Sequence, residues 1–276
     1  MATRTKKRTH GPNAWYGWRP DLPDARDHLF LPPESATGLA ESHDLRPKAA
    51  PVVDQGQLGS CTANAIAAAH MFDQIKLGNT PVFQPSRLFI YYNERVMEGT
   101  VSEDAGAFIR DGIKSINKQG VCPETNWPYN INKFTNKPTT TAYALAKKHC
   151  AVSYSRIRRN LTSMKHCLMD GYPFVLGFTV YESFESSQMS DNGRMPMPAQ
   201  SESVLGGHAV LCVGYINNGS AVGKELMMPD GEGGGHFIVQ NSWGTDWGDK
   251  GFFYMPYGYL LNEDLSDDFW VVKAVR

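Results

Sequence analysis

The chain has 276 residues, with 27 basic and 28 acidic side chains and a formal charge of −1. That length allows one large domain or two ordinary ones. Hydrophobic residues at 41% support a real core and exclude wholesale disorder, while the balanced charge removes the electrostatic warrant for a dedicated nucleic-acid binder. The longest apolar run, about 172–181, is shorter than the ~18 residues a membrane helix needs, so no membrane span is expected.

In chain order, Arg4, Lys6, Lys7 and Arg8 are followed by polar, Pro-rich sequence rather than an apolar stretch. A Sec-type signal is therefore not expected, and the compartment stays open between the cytoplasm and export by another route. Residues 1–43 carry Pro12, Pro20, Pro23, Pro32 and Pro33 and show no helical or strand period. Within them Trp15, Tyr16, Trp18, Leu29, Phe30 and Leu31 are expected to bury on the main body. From Ser60 an Ala-rich helix is predicted, with Gly78 as its stop. Ser86 caps a second helix, and a third is predicted near 104–118, with shorter ones at 140–149 and 161–170. Strand-like runs rich in Val, Phe and Tyr follow at 173–180, 208–216, 236–241, 251–256 and 269–275. Helices first and strands second predict an α+β fold in two lobes, 44–155 mainly helical and 156–276 β-rich.

Cys61 follows a Gly/Ser turn and opens the first helix. A thiol there sits at the positive end of the helix dipole, a placement that lowers its pKa toward the range ~3.5–7.5 when a cation helps. Taken alone it also fits a buried structural cysteine. His208 opens a strand behind Gly206 and Gly207; taken alone it is a surface histidine. Asn241 ends a strand and is followed by Trp243 and Trp247; its amide is able to fix an imidazole while an aromatic wall keeps water out.

Together the runs QGQLGSCT, GGHAVLCVGY and NSWGTDWGDKG resemble the papain-like cysteine peptidases from about Asp44 to the C-terminus. The resemblance implies a helical lobe and a β-barrel-like lobe with the cleft between them. It implies Cys61 as nucleophile, His208 as its imidazolium partner, Asn241 as the group orienting His208, and Gln55 with the Cys61 N–H as oxyanion donors. Trp243 would shield the His208–Asn241 bond and Trp247 would line the leaving-group side. Substrate backbone would pair at Asp104, Ala105 and Gly106, with Gly207 and Ala209 beside the pocket for the second residue before the scissile bond. Asp267 or Asp268 falls at the base of that pocket, where a carboxylate favours basic side chains. No metal or cofactor is implied. The chain departs from the pattern at Leu58, where a disulfide cysteine is usual, at Thr62, usually aromatic, and at Leu45, usually tryptophan. His208 lies 147 residues after Cys61, inside the usual span, but Asn241 lies 180 after it. The extra length falls in 217–235 and reads as an inserted surface loop near the active site, and His236 is a rival imidazole.

The expected function is peptide-bond hydrolysis, most simply as an endopeptidase, with a peptide or protein as substrate and neither nucleic acid nor membrane as partner. Residues 11–40 are too short and Pro-rich for the family's usual pro-segment, yet stiff enough to lie along a groove and restrict it. The alternative is a structural strap on the β-lobe. The rival activities are acyl transfer or deamidation of transglutaminase type, and peptide binding without catalysis. Cys122, Cys150, Cys167 and Cys212 leave room for one disulfide with no pairing favoured.

Overall fold

The computed structural model describes residues 16–32 and 38–275. Trp15, with the rest of 11–15 and with 33–37, thus lies outside the described residues. In chain order come β1 (Trp18–Arg19), β2 (Ser42–Asp44), α1 (Cys61–Leu77), α2 (Arg87–Glu98), β3 (Ala107–Phe108), α3 (Ile109–Lys118) and α4 (Thr140–Ala146). Then follow β4 (Ala151–Arg156), α5 (Leu161–Met169), β5 (Phe174–Tyr181), α6 (Ser187–Asn192), β6 (Val204–Asn217), α7 (Ala221–Glu225), β7 (Gly235–Gln240), β8 (Phe252–Pro256), α8 (Tyr257–Leu261) and β9 (Ser266–Val275).

The helices start and stop where local chemistry sets them. Gly78 ends α1 in the left-handed region at φ +69°, with its N–H on the Gln74 and Ile75 carbonyls. Ser86 Oγ accepts the Phe89 N–H at the start of α2, and the Thr139 and Asn160 side chains cap α4 and α5 in the same way. The third helix begins at Ile109 rather than near Asp104, because Ala107 and Phe108 are drawn into strand pairing with β1.

The sheet is antiparallel and seven-stranded, in the order β4-β9-β5-β6-β7-β8, with β2 also on β6. It stays open, so the lobe is a curved sheet and not a closed barrel. The α+β architecture otherwise agrees with expectation. α1 packs against β6 and β9 on one side and α2 and α3 on the other. This explains why α1 is buried almost all round, with Cys61, Ala63, Ile66, Ala67 and Phe72 inaccessible or nearly so.

The front segment runs from between the lobes to the sheet edge. Phe30 N–H donates to the Arg156 carbonyl at 2.8 Å and Arg156 N–H to the His28 carbonyl at 2.7 Å, pairing the segment with the last residue of edge strand β4. Phe30 is buried, but Leu29 and Leu31 are exposed, contrary to expectation. Pairing along that edge turns Phe30 inward and its neighbours outward.

Candidate active site

Cys61 begins α1, and the facing wall is the start of β6. The backbone N–H groups of Ala209, Gly17 and Thr62 all favour a thiolate at Cys61. Burial outweighs them: the thiol is inaccessible to solvent and pushed up to about 11. This corrects the expectation of a lowered pKa, and the reason is a lid of polypeptide over the sulfur. The covered thiol is held protonated.

His208 Nε2 lies 2.8 Å from Asn241 Oδ1. The imidazole sits in an aromatic box, with ring centroids 5.1 Å from Trp243, 5.7 Å from Phe178 and 5.8 Å from Tyr16. Trp243 stacks at an interplanar angle of 33° and keeps water from the His208–Asn241 bond. The ring of Trp247 packs behind it, against Trp243, Phe184 and Phe253. The Gln55 amide is gripped at both ends: Ser242 Oγ donates to its Oε1 at 2.6 Å, and its Nε2 donates to the Leu58 carbonyl at 2.9 Å. Leu58, at the missing disulfide position, thus helps fix Gln55 through its backbone.

Two residues at the helical wall have clear structural roles. Thr62 Oγ1 donates to Glu94 at 3.0 Å, and burial raises that carboxyl to about 8. The Asp104 carboxylate accepts the Gly59 N–H and the Tyr91 hydroxyl. Asp104 therefore braces the turn before Cys61 from behind, leaving the cleft face to Gly106 and Ala107.

Residues 16–32 form a strap, and its leading part, 16–21, fills the cleft. Gly17 donates toward Cys61, and its carbonyl accepts the Ala107 N–H at 2.7 Å. A Cβ at Gly17 would collide with the Gly59 carbonyl, and one at Gly106, φ +69°, with the Gly17 carbonyl; both positions demand glycine. β1 pairs in parallel with β3, Trp18 opposite Ala107 and Arg19 opposite Phe108. The Trp18 indole fills a pocket that exists because Gly177 and Gly207 lack side chains. Tyr16 packs edge-on to His208 and tilted against Trp243, and donates its hydroxyl to Glu185.

At the pocket base, Trp18 Nε1 and Asp21 N–H donate to Asp268 Oδ2 at 3.0 and 2.8 Å, and Arg156 meets Asp268 Oδ1 at 3.2 Å. Asp267 instead points outward to Arg156 and Arg159. Between Val175 and Gly177 of β5 the β9 register slips, and Asp268 takes φ +58°. This bulge breaks the alternation and swings Asp268, not Asp267, inward. Asp21 also accepts from Trp270 Nε1 at 2.9 Å and Arg110 N at 3.2 Å, while Asp27 pairs with Arg110 at 2.6 Å. This clamp between strap, α3 and β9 left little trace in the sequence beyond charged residues beside prolines.

The 217–235 segment and His236 lie elsewhere. β6 carries His208 near its start and reaches the segment at Asn217, about 30 Å away at strand rise. Asn241 is likewise beyond the far end of β7. The insertion is therefore distant from the site, and His236 lies with it, sharing a cavity with Lys224, Met228 and Asp230. All five cysteines are free thiols. No helix is long and apolar enough to cross a membrane among the described residues.

Residues 39–263 match the papain family cysteine protease. The chain belongs to the papain family of cysteine proteases. It is 46% identical over 288 residues to an uncharacterised peptidase C1-like protein of Acanthamoeba polyphaga mimivirus, covering 94% of this chain and 87% of that one. Among solved structures it resembles xylellain, a cysteine protease from Xylella fastidiosa, at 42% identity and TM-score 0.86, covering 97% of this chain and 99% of the other. A procathepsin B from Trypanosoma congolense, at 19% identity and TM-score 0.73 over 94% of this chain and 86% of the other, shares the fold. This papain-like cysteine peptidase keeps Cys61, His208 and Asn241 around one cleft and carries its own segment inside it.

Proposed function

We propose that this peptidase cleaves extended peptides internally by a Cys61–His208–Asn241 mechanism and that residues 16–21 restrict it. The observation that carries this reading is the Asn241-held, Trp-shielded His208 on the strand whose next amide, Ala209 N–H, faces the Cys61 sulfur. In the open enzyme the Cys61 thiol passes its proton to His208, and the thiolate adds to the peptide carbonyl. The Gln55 amide and the Cys61 N–H stabilise the oxyanion, and His208 then protonates the leaving amine. Water hydrolyses the resulting thioester.

The strap's direction explains why it restricts without being consumed. The leaving amine must lie beside His208 and the acyl part toward Ala107 and Phe108. A substrate therefore runs N to C from Phe108 toward Trp243. The strap runs the other way, with Tyr16 at Trp243 and Arg19 at Phe108. Its carbonyls and amides are reversed relative to a scissile bond.

Strap docking is expected to weaken as pH rises. Docked, the Asp268 carboxyl is held up at about 7, first by burial and then by Asp21; Arg110, Arg156, Asp27 and Asp267 also face this pair. Open, it returns toward the ordinary carboxylate value of about 4. Below about 4 both states are protonated and docking is at full strength; between about 4 and about 7 only the open state ionises, so docking is progressively lost. The wild-type rate, divided by that of Trp18→Ala, should rise about tenfold or more from pH 5 to pH 8. A flat ratio would remove Asp268 from the account.

With the strap displaced, the same carboxylate favours an arginine at the second residue before the scissile bond. Asp268→Asn is expected to cut the Arg-to-Leu selectivity there about tenfold. Product analysis of a peptide digest, with a primary amine added, tests the reaction class. Free carboxyl and amino termini support hydrolysis. Amine-linked or deamidated glutamine products with no chain cleavage would replace it with transglutaminase-type chemistry.

A further inference from the structure

Adjacent side chains of a strand point to opposite faces. Trp18 enters the β-lobe pocket, so Arg19 turns to the helical lobe. There its guanidinium lies 4.3 Å over the Phe108 ring and pairs with Glu98, at the end of α2. The Glu98 side chain is only 3% exposed, while the Arg19 side chain is 38% exposed. Glu98 is thus a sunken acid beneath an open-topped slot. Its other oxygen accepts the Phe108 N–H at 2.9 Å, which fixes the carboxylate to the strand that the strap pairs with. Among the described residues, Arg19 is the cation paired with Glu98.

We propose that Glu98 and Phe108 form a specificity pocket that selects a basic side chain at the third residue before the scissile bond. This rests on the peptidase reading above. The register supplies the position. Gly17 lies at Cys61, Trp18 opposite Ala107 and Arg19 opposite Phe108, so Phe108 faces the third residue counted from the reacting centre. A substrate reading the cleft in the opposite sense meets the same wall in the same order, and alternation again directs its third side chain to the helical lobe. The strap borrows the pocket with Arg19. Stacking on an aromatic face and pairing with an acid both favour the flat guanidinium, so arginine is preferred over lysine and both over neutral isosteres.

The test is internal competition in the full-length enzyme between two peptides that differ only in Arg or Gln at that third position. Both compete with the same strap, so the ratio of their kcat/KM values is independent of how much enzyme is open. Wild type is expected to prefer Arg about tenfold, the size of one charge-assisted contact. Glu98→Gln retains an oxygen for the Phe108 N–H, and its ratio is expected to fall to about one. A wild-type ratio of one, or a tenfold preference that survives Glu98→Gln, overturns the assignment and leaves the peptidase reading intact. Cleavage of neither peptide, nor of any member of a mixed peptide digest, overturns both.

Discussion

Trp18→Ala in the full-length chain is expected to raise kcat/KM toward extended peptides about a hundredfold. Trp18 is the strap's largest anchor: the residue is 7% exposed, and its indole fills the space left by Gly177 and Gly207 and donates to Asp268. Truncating a buried tryptophan typically costs ~3–5 kcal/mol, and 3 kcal/mol is about two powers of ten in a docking equilibrium. The rest of the strap, held through Asp27 and Phe30, stays on the body, so the effect is local release rather than unfolding. Steady-state hydrolysis of a fluorogenic peptide reads it directly. An unchanged rate would make Trp18 a packing residue and the cleft open in solution.

The second large effect has the opposite sign. His208→Ala is expected to lower kcat/KM by about a thousandfold or more, in wild type and in Trp18→Ala alike, because general acid–base transfer alone supplies ~10²–10⁴. Asn241→Ala should cost less, about ten- to a hundredfold, since it removes the group holding His208 at 2.8 Å and not the imidazole itself. Kinetics with a near-ultraviolet circular dichroism control separates lost chemistry from disturbed packing of the aromatic box. Retention of full activity by His208→Ala would exclude it as the proton carrier, and His236, at the far end of β6 and β7, is not positioned to replace it.

What was legible in the sequence was whatever local chemistry determines. Gly78 and Ser86 mark helix boundaries by capping, and the Val- and Phe-rich runs mark β6, which holds His208, and β7, which Asn241 follows. Long-range features were not legible. Asp267 and Asp268 are adjacent acids, and only the bulge opposite β5 decides which one turns inward. The insertion was expected beside the site because it separates His208 from Asn241 in sequence, yet the β6–β7 hairpin carries it to the opposite end. The thiol's raised pKa arises from burial that outweighs the Gly17 N–H reaching it from more than forty positions away, a long-range contact no local pattern announces. The strap did leave one signal: aromatic residues spaced by glycine and proline, too apolar for a tail and too irregular for a helix or strand.

The most direct measurement is the rate at which an epoxysuccinyl peptide labels Cys61 in the reduced full-length protein, read by peptide-level mass spectrometry beside the same protein carrying Trp18→Ala. A protease with a covered thiol predicts slow labelling of wild type, labelling about a hundredfold faster in the variant, and Cys61 as the residue modified in both. Equal rates in the two proteins would contradict the restriction by residues 16–21, and absence of label at Cys61 in either would contradict the catalytic centre itself.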